Sequence, residues 1–202
     1  MKLTIVILNW NGKLLLKKFL PKIILYTPST PIYVVDNSSK DDSIEFIKKE
    51  YKDIHIIKLT KNTGFAKAYN YALKEIHSDV YCLINNDVMV TKNWTSPIMS
   101  YFEKSKVDIA QPLILDFNDK KRFEYAGAGG GYIDKFGYPF CRGRIFSNIE
   151  NNKGQYNNSI NIFWASGACM FVNQKSWISL GGFDEDFFMH QEEIDFCWRA
   201  KI

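Results

Sequence analysis

The chain has 202 residues, of which 46% are hydrophobic and 24% are charged, so it is globular rather than disordered. This length fits one domain with a sizeable core. The net charge of +4 is small and no nucleic-acid-binding motif accompanies the basic residues, so we expect no nucleic-acid partner.

The first half of the chain alternates apolar, β-branched runs with amphipathic stretches. We predict strands over residues 3–8, 31–35, 54–59 and 80–84, and helices over residues 13–20, 41–51 and 66–76. Pro21 is expected to end the first helix, and Ser39 is expected to cap the second. This alternation predicts an α/β fold, in which a mostly parallel, Rossmann-like sheet is flanked by helices.

The second half is less regular. We predict a helix over residues 94–104, a strand over 109–115, an irregular or hairpin region over 116–160, a strand over 162–172 and a helix over 192–201. The whole chain is therefore expected to form one domain over residues 1–202. Residues 1–115 would be its nucleotide-binding half, and residues 116–202 its acceptor-side half.

The sequence also bears on the cellular compartment. Cys82, Cys141, Cys169 and Cys197 form no C-x-x-C pair, so a thiolate zinc site is not supported, and we expect a reducing, cytoplasmic compartment. The N-terminus is too weakly apolar for a signal peptide, and no run approaches the length of a membrane span. The last predicted helix reaches the chain end without a capping signal, so we expect a truncated chain.

Polar residues follow the early strands at the points where those strands end. These stretches are Asn9-Trp10-Asn11-Gly12, Asp36-Asn37-Ser38-Ser39, Lys61-Asn62-Thr63-Gly64 and Asn85-Asn86-Asp87. Loops favour such residues in any protein, so turn chemistry is the better explanation of each stretch taken alone. Ligands of parallel α/β sheets bind beyond the carboxyl ends of the strands, so the four stretches together predict a ligand-binding edge.

Individual residues at this edge have two interpretations each. Asp36 would accept hydrogen bonds from a nucleobase or ribose, or else cap a helix. Asn62 and Gly64 open a helix whose N-terminus would face a phosphate, or which simply packs on the sheet. Asp87 would hold Mg²⁺ or Mn²⁺ together with the oxygens of a diphosphate, or else belong to a turn.

Acidic residues also gather near the C-terminus, in the stretch His190-Gln191-Glu192-Glu193-Ile194-Asp195. Three carboxylates so close together repel one another, although a helix N-terminus favours acidic residues. The functional interpretation is a general base with a raised pKa beside a second acid. His190 would be either a metal ligand or a structural residue.

Taken together, these stretches resemble the family 2 glycosyltransferases of the rhamnosyltransferase or galactofuranosyltransferase type. The matching blocks, in order, are "TIVILNWNG", "IYVVDNSSKDDS", "NTGFAKAYNYAL", "CLINNDVMV", "SGACMFV" and "LGGFDEDFFMHQEEIDFCWRAK". The resemblance implies a GT-A fold, a nucleotide-sugar donor, a divalent metal and inversion at the anomeric carbon. It also implies a chain that continues beyond the last helix.

The resemblance further assigns roles to individual residues. The expected donor-binding residues are Asn9, Asn11, Asp36, Asn37, Asn62, Gly64, Lys67 and Asn86. Asp87 takes the place of the metal-binding D-x-D motif, whose first position is Asn85 here. Ser166, Gly167 and Ala168 would line the sugar and acceptor. The Glu192-Glu193 pair matches an E-D pair whose second member is the base, and the change to Glu193 leaves open which glutamate acts.

Competing functions make different demands on the sequence. A nucleotidyltransferase needs a basic Gly-rich loop after the first strand, and an NAD-dependent oxidoreductase needs G-x-G-x-x-G there; "NWNG" provides neither. A catalytically inactive nucleotide-sugar or saccharide-binding module remains an alternative. For an active enzyme the resemblance implies a glycan or lipid-linked acceptor, which would bring the protein to the inner face of the membrane.

Overall fold

A computed structural model describes residues 1–104, 107–125 and 127–202 of the chain. The strands are β1 (Leu3–Asn9), β2 (Ile32–Asp36), β3 (His55–Lys58), β4 (Val80–Asn85), β5 (Ile109–Ala110), β6 (Gly131–Ile133), β7 (Pro139–Cys141), β8 (Arg144–Ile145), β9 (Asn148–Ile149) and β10 (Cys169–Asn173). The helices are α1 (Lys13–Tyr26), α2 (Ser43–Glu50), α3 (Gly64–Glu75), α4 (Ser96–Lys104), α5 (Gln174–Ser179) and α6 (Glu192–Arg199).

The central layer is a six-stranded sheet in the order β3-β2-β1-β4-β10-β5. The first four strands are mutually parallel, whereas β10 runs antiparallel to both β4 and β5. Asn9 is in register with Asp36, and Leu8 with Asn85, so β1, β2 and β4 end at the same edge. β10 starts at that edge, with Cys169 opposite Ile84. The predicted α/β sheet and its polar edge are therefore confirmed.

Helices cover both faces of this sheet, and its central strands are buried accordingly. On one face, side chains of α1, α2 and α4 pack against β1 and β4; they include Leu16, Leu20, Ile23, Ile44, Ile47, Ile98 and Phe102. On the other face, α3, α5 and α6 contribute Ala66, Tyr69, Leu73, Trp177 and Phe196. Phe123, Cys141 and Trp164 join the second cluster, so one core includes residues from both predicted halves.

The prediction that Pro21 ends the first helix is wrong, because α1 continues through Pro21 to Tyr26. A proline inside a helix removes one hydrogen bond and costs about 3 kcal/mol. Ile23, which lies beyond the proline, is 1% exposed and packs against the sheet. Burying this extra turn offsets the local cost of the proline.

Two predicted strands are much shorter in the structure. The strand expected over residues 109–115 consists of Ile109–Ala110 only, since Pro112 lacks the amide that a sheet ladder needs. The strand expected over residues 162–172 is confined to Cys169–Asn173. Before it, Ser166 Oγ accepts a hydrogen bond from the Ala168 amide at 3.2 Å, which favours a turn over an extended backbone.

The irregular region contains a second, four-stranded antiparallel sheet in the order β6-β7-β8-β9. Its inner surface joins the main core through Cys141 and Ile133. All four cysteines are buried and unpaired. Within the described residues, no helix combines the length and the apolar character that crossing a bilayer requires.

Candidate active site

A network of hydrogen bonds centred on Asn9 joins three strand ends. The Asn9 side chain is fully buried. Its Nδ2 donates to Asp36 Oδ1 at 3.2 Å, to Ser43 Oγ at 3.0 Å and to Ser39 Oγ at 3.2 Å. Its Oδ1 accepts from Asn86 Nδ2 at 3.1 Å. Asn9 therefore holds the ends of β1, β2 and β4 in one fixed arrangement.

Asp36 lies inside this network rather than on its surface. Its side chain is fully buried, and its second oxygen accepts the Ser39 amide at 3.2 Å. Ser39 does not cap α2 as predicted, because that helix begins at Ser43 after Asp42. Instead, Ser39 Oγ accepts the Asn11 amide at 2.9 Å, and Asn11 Oδ1 accepts the Lys40 amide at 2.7 Å. The loops after β1 and β2 are thus bonded directly to each other.

Asn37 connects the loop after β2 to the loop after β3 by hydrogen bonds. Its Nδ2 donates to Asn62 Oδ1 and to the Gly64 carbonyl, both at 3.0 Å, and its Oδ1 accepts the Thr63 amide at 2.9 Å. Asn62 Oδ1 also accepts the Gly64 amide at 3.0 Å. These contacts fix the entry into α3.

The N-terminus of α3 is covered by the chain itself. The Phe188 carbonyl accepts the Phe65 amide at 2.7 Å, and a Cβ at Gly64 would overlap that carbonyl. A phosphate at this helix terminus, as the sequence suggested, would have to displace Phe188. Lys67, another expected donor residue, is exposed and forms an ion pair with Glu185 at 2.9 Å.

Asn86 and Asp87 follow β4 at the same edge. Asn86 is bonded to Asn9, and a Cβ at Gly12 would overlap both of their side chains. Gly12, which sequence reasoning did not single out, is therefore required for this close approach. Asp87 is exposed, and it is not among the hydrogen-bond partners of the Asn9 side chain.

Asp87, the residue expected to hold a metal, offers a single carboxylate. Among the described residues, no three His, Cys, Asp or Glu side chains converge on a common point. One exposed carboxylate fits a hard cation when a diphosphate provides most of the oxygen ligands, so the donor set here is compatible with Mg²⁺ or Mn²⁺ bound together with a nucleotide.

Two glutamates, each with one buried carboxylate oxygen, start helix α6. Glu192 is only 3% exposed, whereas Glu193 is partly exposed, and the Oε2 atom of each is buried without a hydrogen-bond partner. Burial, reinforced by the neighbouring Glu193 charge, raises the pKa of Glu192 to about 7. Burial also raises the pKa of Glu193, although the Gly167 amide donates to its carboxylate and opposes the rise. Unpaired buried carboxylates are costly, and they concentrate at functional sites.

The other residues of this acidic stretch have separate roles. Asp195 accepts from Arg199 Nε at 2.8 Å, so the third acid is already paired within α6. His190 is exposed with a left-handed backbone, φ 74°. Its amide donates to Glu192, and the charge of its side chain lowers the pKa of Glu193. His190 therefore lies beside the glutamate pair.

Residues 166–168 connect the glutamates to the edge of the sheet. A Cβ on Gly167 would lie 3.8 Å from Glu193 Cδ. The Ala168 carbonyl accepts the Asn85 amide at 3.0 Å, and the Ser166 amide donates to Gln111 Oε1 at 2.8 Å. Gln111 Nε2 in turn donates to the Gly127 carbonyl at 3.0 Å. No motif in the sequence distinguishes Gln111, so its bridging role could not be predicted.

A separate groove of about 750 Å³ runs beside β5, and neither Asp87 nor the glutamate pair lines it. Its walls come from α4, from residues 107–113 and from residues 156–163. Among the described residues that line the groove, Gln111, Ala165 and Cys197 are neighbours of the Ser166 turn and connect the groove to the site.

The amino-acid sequence of the chain is similar to those of known glycosyltransferases. The chain is 25% identical to the low-salt glycan biosynthesis hexosyltransferase Agl10 of Haloferax volcanii, over 98% of the chain and 61% of that protein. It is 21% identical to an N-acetylglucosaminyl-diphospho-decaprenol L-rhamnosyltransferase of Mycobacterium tuberculosis, over 89% of the chain and 64% of the relative. The chain thus spans roughly three fifths of the length of these curated relatives.

The fold has close counterparts among solved structures. A crystal structure of GalNAc-T7 with UDP, GalNAc and Mn²⁺ superposes with a TM-score of 0.74 at 14% identity, over 98% of this chain and 40% of that one. At that identity the likeness concerns the fold, which is the GT-A fold. The family model described as "Glycosyl transferase family 2" matches residues 4–177. The chain therefore belongs to glycosyl transferase family 2.

Proposed function

We propose that this protein transfers a sugar from a nucleoside diphosphate sugar to a hydroxyl group of a glycan or lipid-linked acceptor, with inversion at the anomeric carbon. The observation that carries the proposal is the glutamate pair, whose two buried oxygens lack partners beside the polar sheet edge. The relatives that are named hexosyltransferase and rhamnosyltransferase support it.

Glu193 is the general base in this proposal. Its side chain is partly exposed, whereas Glu192 is 3% exposed, so an acceptor hydroxyl reaches Glu193 with less rearrangement. The Gly167 amide orients the Glu193 carboxylate. Because burial raises its pKa, this carboxylate is a stronger base than an exposed glutamate and accepts a proton more readily.

The transfer step follows from these positions. Glu193 removes the proton of the acceptor hydroxyl as its oxygen forms a bond to the anomeric carbon. The bond from that carbon to the phosphate oxygen breaks on the opposite side, and a nucleoside diphosphate leaves. No nucleophile of the protein takes part, so the anomeric configuration inverts.

The donor lies along the edge formed by the ends of β1, β2 and β4. Asn11, Asn37, Asn62 and Asn86 surround it, while the buried Asp36 acts through Asn9 and Ser39 as a positioning residue. Asp87 would hold the divalent metal, which stabilises negative charge on the departing diphosphate when bound. His190, beside Glu193, would be a further ligand of that metal or would contact the diphosphate.

Turnover tests this proposal. The protein is incubated with UDP-linked and dTDP-linked sugars and with a glycan or a saccharide linked to polyprenyl diphosphate as acceptor, and the nucleotide released and the product anomer are measured. We expect an inverted product. Glu193→Gln should lower transfer about 10²- to 10⁴-fold without weakening nucleotide binding, and Glu192→Gln should lower it much less. A product with retained configuration would contradict the mechanism. Nucleotide binding without any turnover would favour the inactive binding module.

A further inference from the structure

Two turns of the four-stranded sheet lie at the same end of that sheet. In an antiparallel meander, alternate turns lie at the same end, so the β6–β7 turn (residues 134–138) and the β8–β9 turn (residues 146–147) are neighbours. The intervening turn, at residues 142–143, faces the body of the protein. There Arg142 Nε donates to the Gly129 carbonyl at 2.8 Å, and Gly143 lies against the buried Phe123 ring.

The outward turns carry large aromatic side chains that are mostly exposed to solvent. Phe136 is 73% exposed, Tyr138 is 70% exposed and Phe146 is 80% exposed. We call these three residues the aromatic tip. Single exposed apolar residues are common on protein surfaces, but three aromatic rings on adjacent turns are typical of an interaction surface.

The backbone of the aromatic tip is held in place by hydrogen bonds. Asp134 Oδ1 accepts the Phe136 amide at 2.8 Å and the Tyr138 amide at 2.9 Å, and the Asp134 amide donates to the Tyr138 carbonyl at 3.0 Å. In the second turn, Arg144 Nε donates to the Phe146 carbonyl at 3.2 Å. A partner would therefore meet turns that need little further ordering, which lowers the entropic cost of binding.

The charge around the aromatic tip is positive. Lys135 belongs to the first turn, and Arg144 donates to the Phe146 carbonyl in the second. Lys135 Nζ lies 4.9 Å from the centre of the Phe136 ring, next to the tip itself. Asp134 accepts two backbone amides of its own turn, and its single negative charge leaves one net positive charge on the two turns together with Arg144. Aromatic rings combined with cations match the interface of a bilayer that contains anionic lipids.

We propose that the aromatic tip docks the protein on an anionic lipid bilayer. The shape of this surface favours a bilayer over a polysaccharide, since projecting turns insert between lipid headgroups, whereas a glycan chain is normally enclosed in a groove. The inference rests on this surface alone and does not require the proposed sugar transfer, although a lipid-linked acceptor would be presented by the same bilayer.

Vesicle flotation tests the proposal with the 202-residue chain. The vesicles consist of phosphatidylcholine alone or of an equimolar mixture with phosphatidylglycerol. The tip variant carries Phe136→Ser, Tyr138→Ser and Phe146→Ser. A matched control carries Leu25→Ser, Tyr71→Ser and Ile178→Ser, three exposed apolar positions on the helices of the main domain.

We expect the wild type and the control to float with the anionic vesicles, and the tip variant to bind them at least about tenfold more weakly. Phosphatidylcholine alone should bind all of them poorly. Circular dichroism shows whether the tip variant is folded, and Phe136→Ser alone should give a smaller loss in the same direction. Glu193→Gln should float like the wild type, which separates docking from catalysis.

Two outcomes would overturn the proposal. One is equal vesicle binding by the wild type and a folded tip variant, and the other is no vesicle binding by the wild type. A tip variant that loses binding to a soluble polysaccharide, while its vesicle binding is unchanged, would assign the surface to a glycan instead.

Discussion

The polar edge of the sheet and the start of α6 differ in how fully their buried polar groups are hydrogen-bonded. At the ends of β1 and β2, the Asn9 amide makes four hydrogen bonds and both Asp36 oxygens accept one each. At the start of α6, one oxygen of Glu192 and one of Glu193 are buried without a partner. The first arrangement stabilises the fold and fixes the polar edge of the sheet. The second is costly for the fold and leaves reactive groups available to a ligand.

We expect the largest loss of stability from a variant that removes the hydrogen bonds of the Asn9 side chain. Asn9→Leu keeps the approximate shape of the side chain but leaves Asp36 buried with one partner fewer. We expect the free energy of unfolding to fall by about 2–4 kcal/mol.

Urea denaturation measures this change, and Asn158→Leu at an exposed position provides the control, with an expected effect within about 0.5 kcal/mol. If Asn9→Leu were equally harmless, the network would not be what holds the three strand ends together.

A smaller effect is expected at Gly12, where the chain approaches the same network. In Gly12→Ala the added methyl group overlaps Asn86 Nδ2 and Asn9 Oδ1, so one of the two side chains has to move. We expect a loss of about 1–3 kcal/mol, together with weaker nucleotide binding. Thermal unfolding with and without UDP separates the two effects. Unchanged stability would mean that the Asn86 amide swings away without cost.

Relieving the unsatisfied side, the start of α6, should change stability in the opposite direction. The pKa of Glu192 is raised in the folded protein, so ionisation of Glu192 destabilises the fold as the pH rises from the pKa of the unfolded state toward about 7. Glu192→Gln removes that penalty. We expect the variant to be about 3 kcal/mol more stable than the wild type at pH 8.

The advantage of Glu192→Gln should shrink as the pH is lowered and vanish near pH 4, where the glutamate is protonated in both the folded and the unfolded state. Thermal denaturation across this pH range provides the measurement. A constant difference at every pH would show that packing, rather than ionisation, distinguishes the two proteins.

Local sequence patterns predicted the parts of the fold that depend on burial alone. The continuous apolar runs of β1 and β4 identified the central strands, and the polar residues after them identified the polar edge. The predictions failed where a distant partner decides the conformation. Helix α1 continues beyond Pro21 because Ile23 is buried. Ser39 does not cap α2 because its hydroxyl accepts hydrogen bonds from Asn9 and Asn11.

The site shows the same limit. The Glu192-Glu193 pair could be selected from the sequence because adjacent acids are conspicuous, but their unpaired oxygens required the structure. Nothing local to Gly64 indicates that Phe188 covers the start of α3, because that contact joins positions far apart in the chain. Gln111 is another residue whose role depends entirely on distant partners, Ser166 and Gly127.

The central claim is that the polar edge binds a nucleoside diphosphate through a metal at Asp87. The most direct test is thermal stabilisation by UDP, dTDP, GDP and CDP, each with and without Mn²⁺. It compares the wild type with Asp87→Asn and with Asp53→Asn, an exposed aspartate preceding β3 at the opposite edge of the sheet. We expect one nucleotide to stabilise the wild type and Asp53→Asn in a Mn²⁺-dependent manner, and Asp87→Asn to lose that dependence. Equal Mn²⁺-dependent stabilisation of Asp87→Asn, or no stabilisation of the wild type by any nucleotide, would contradict the claim.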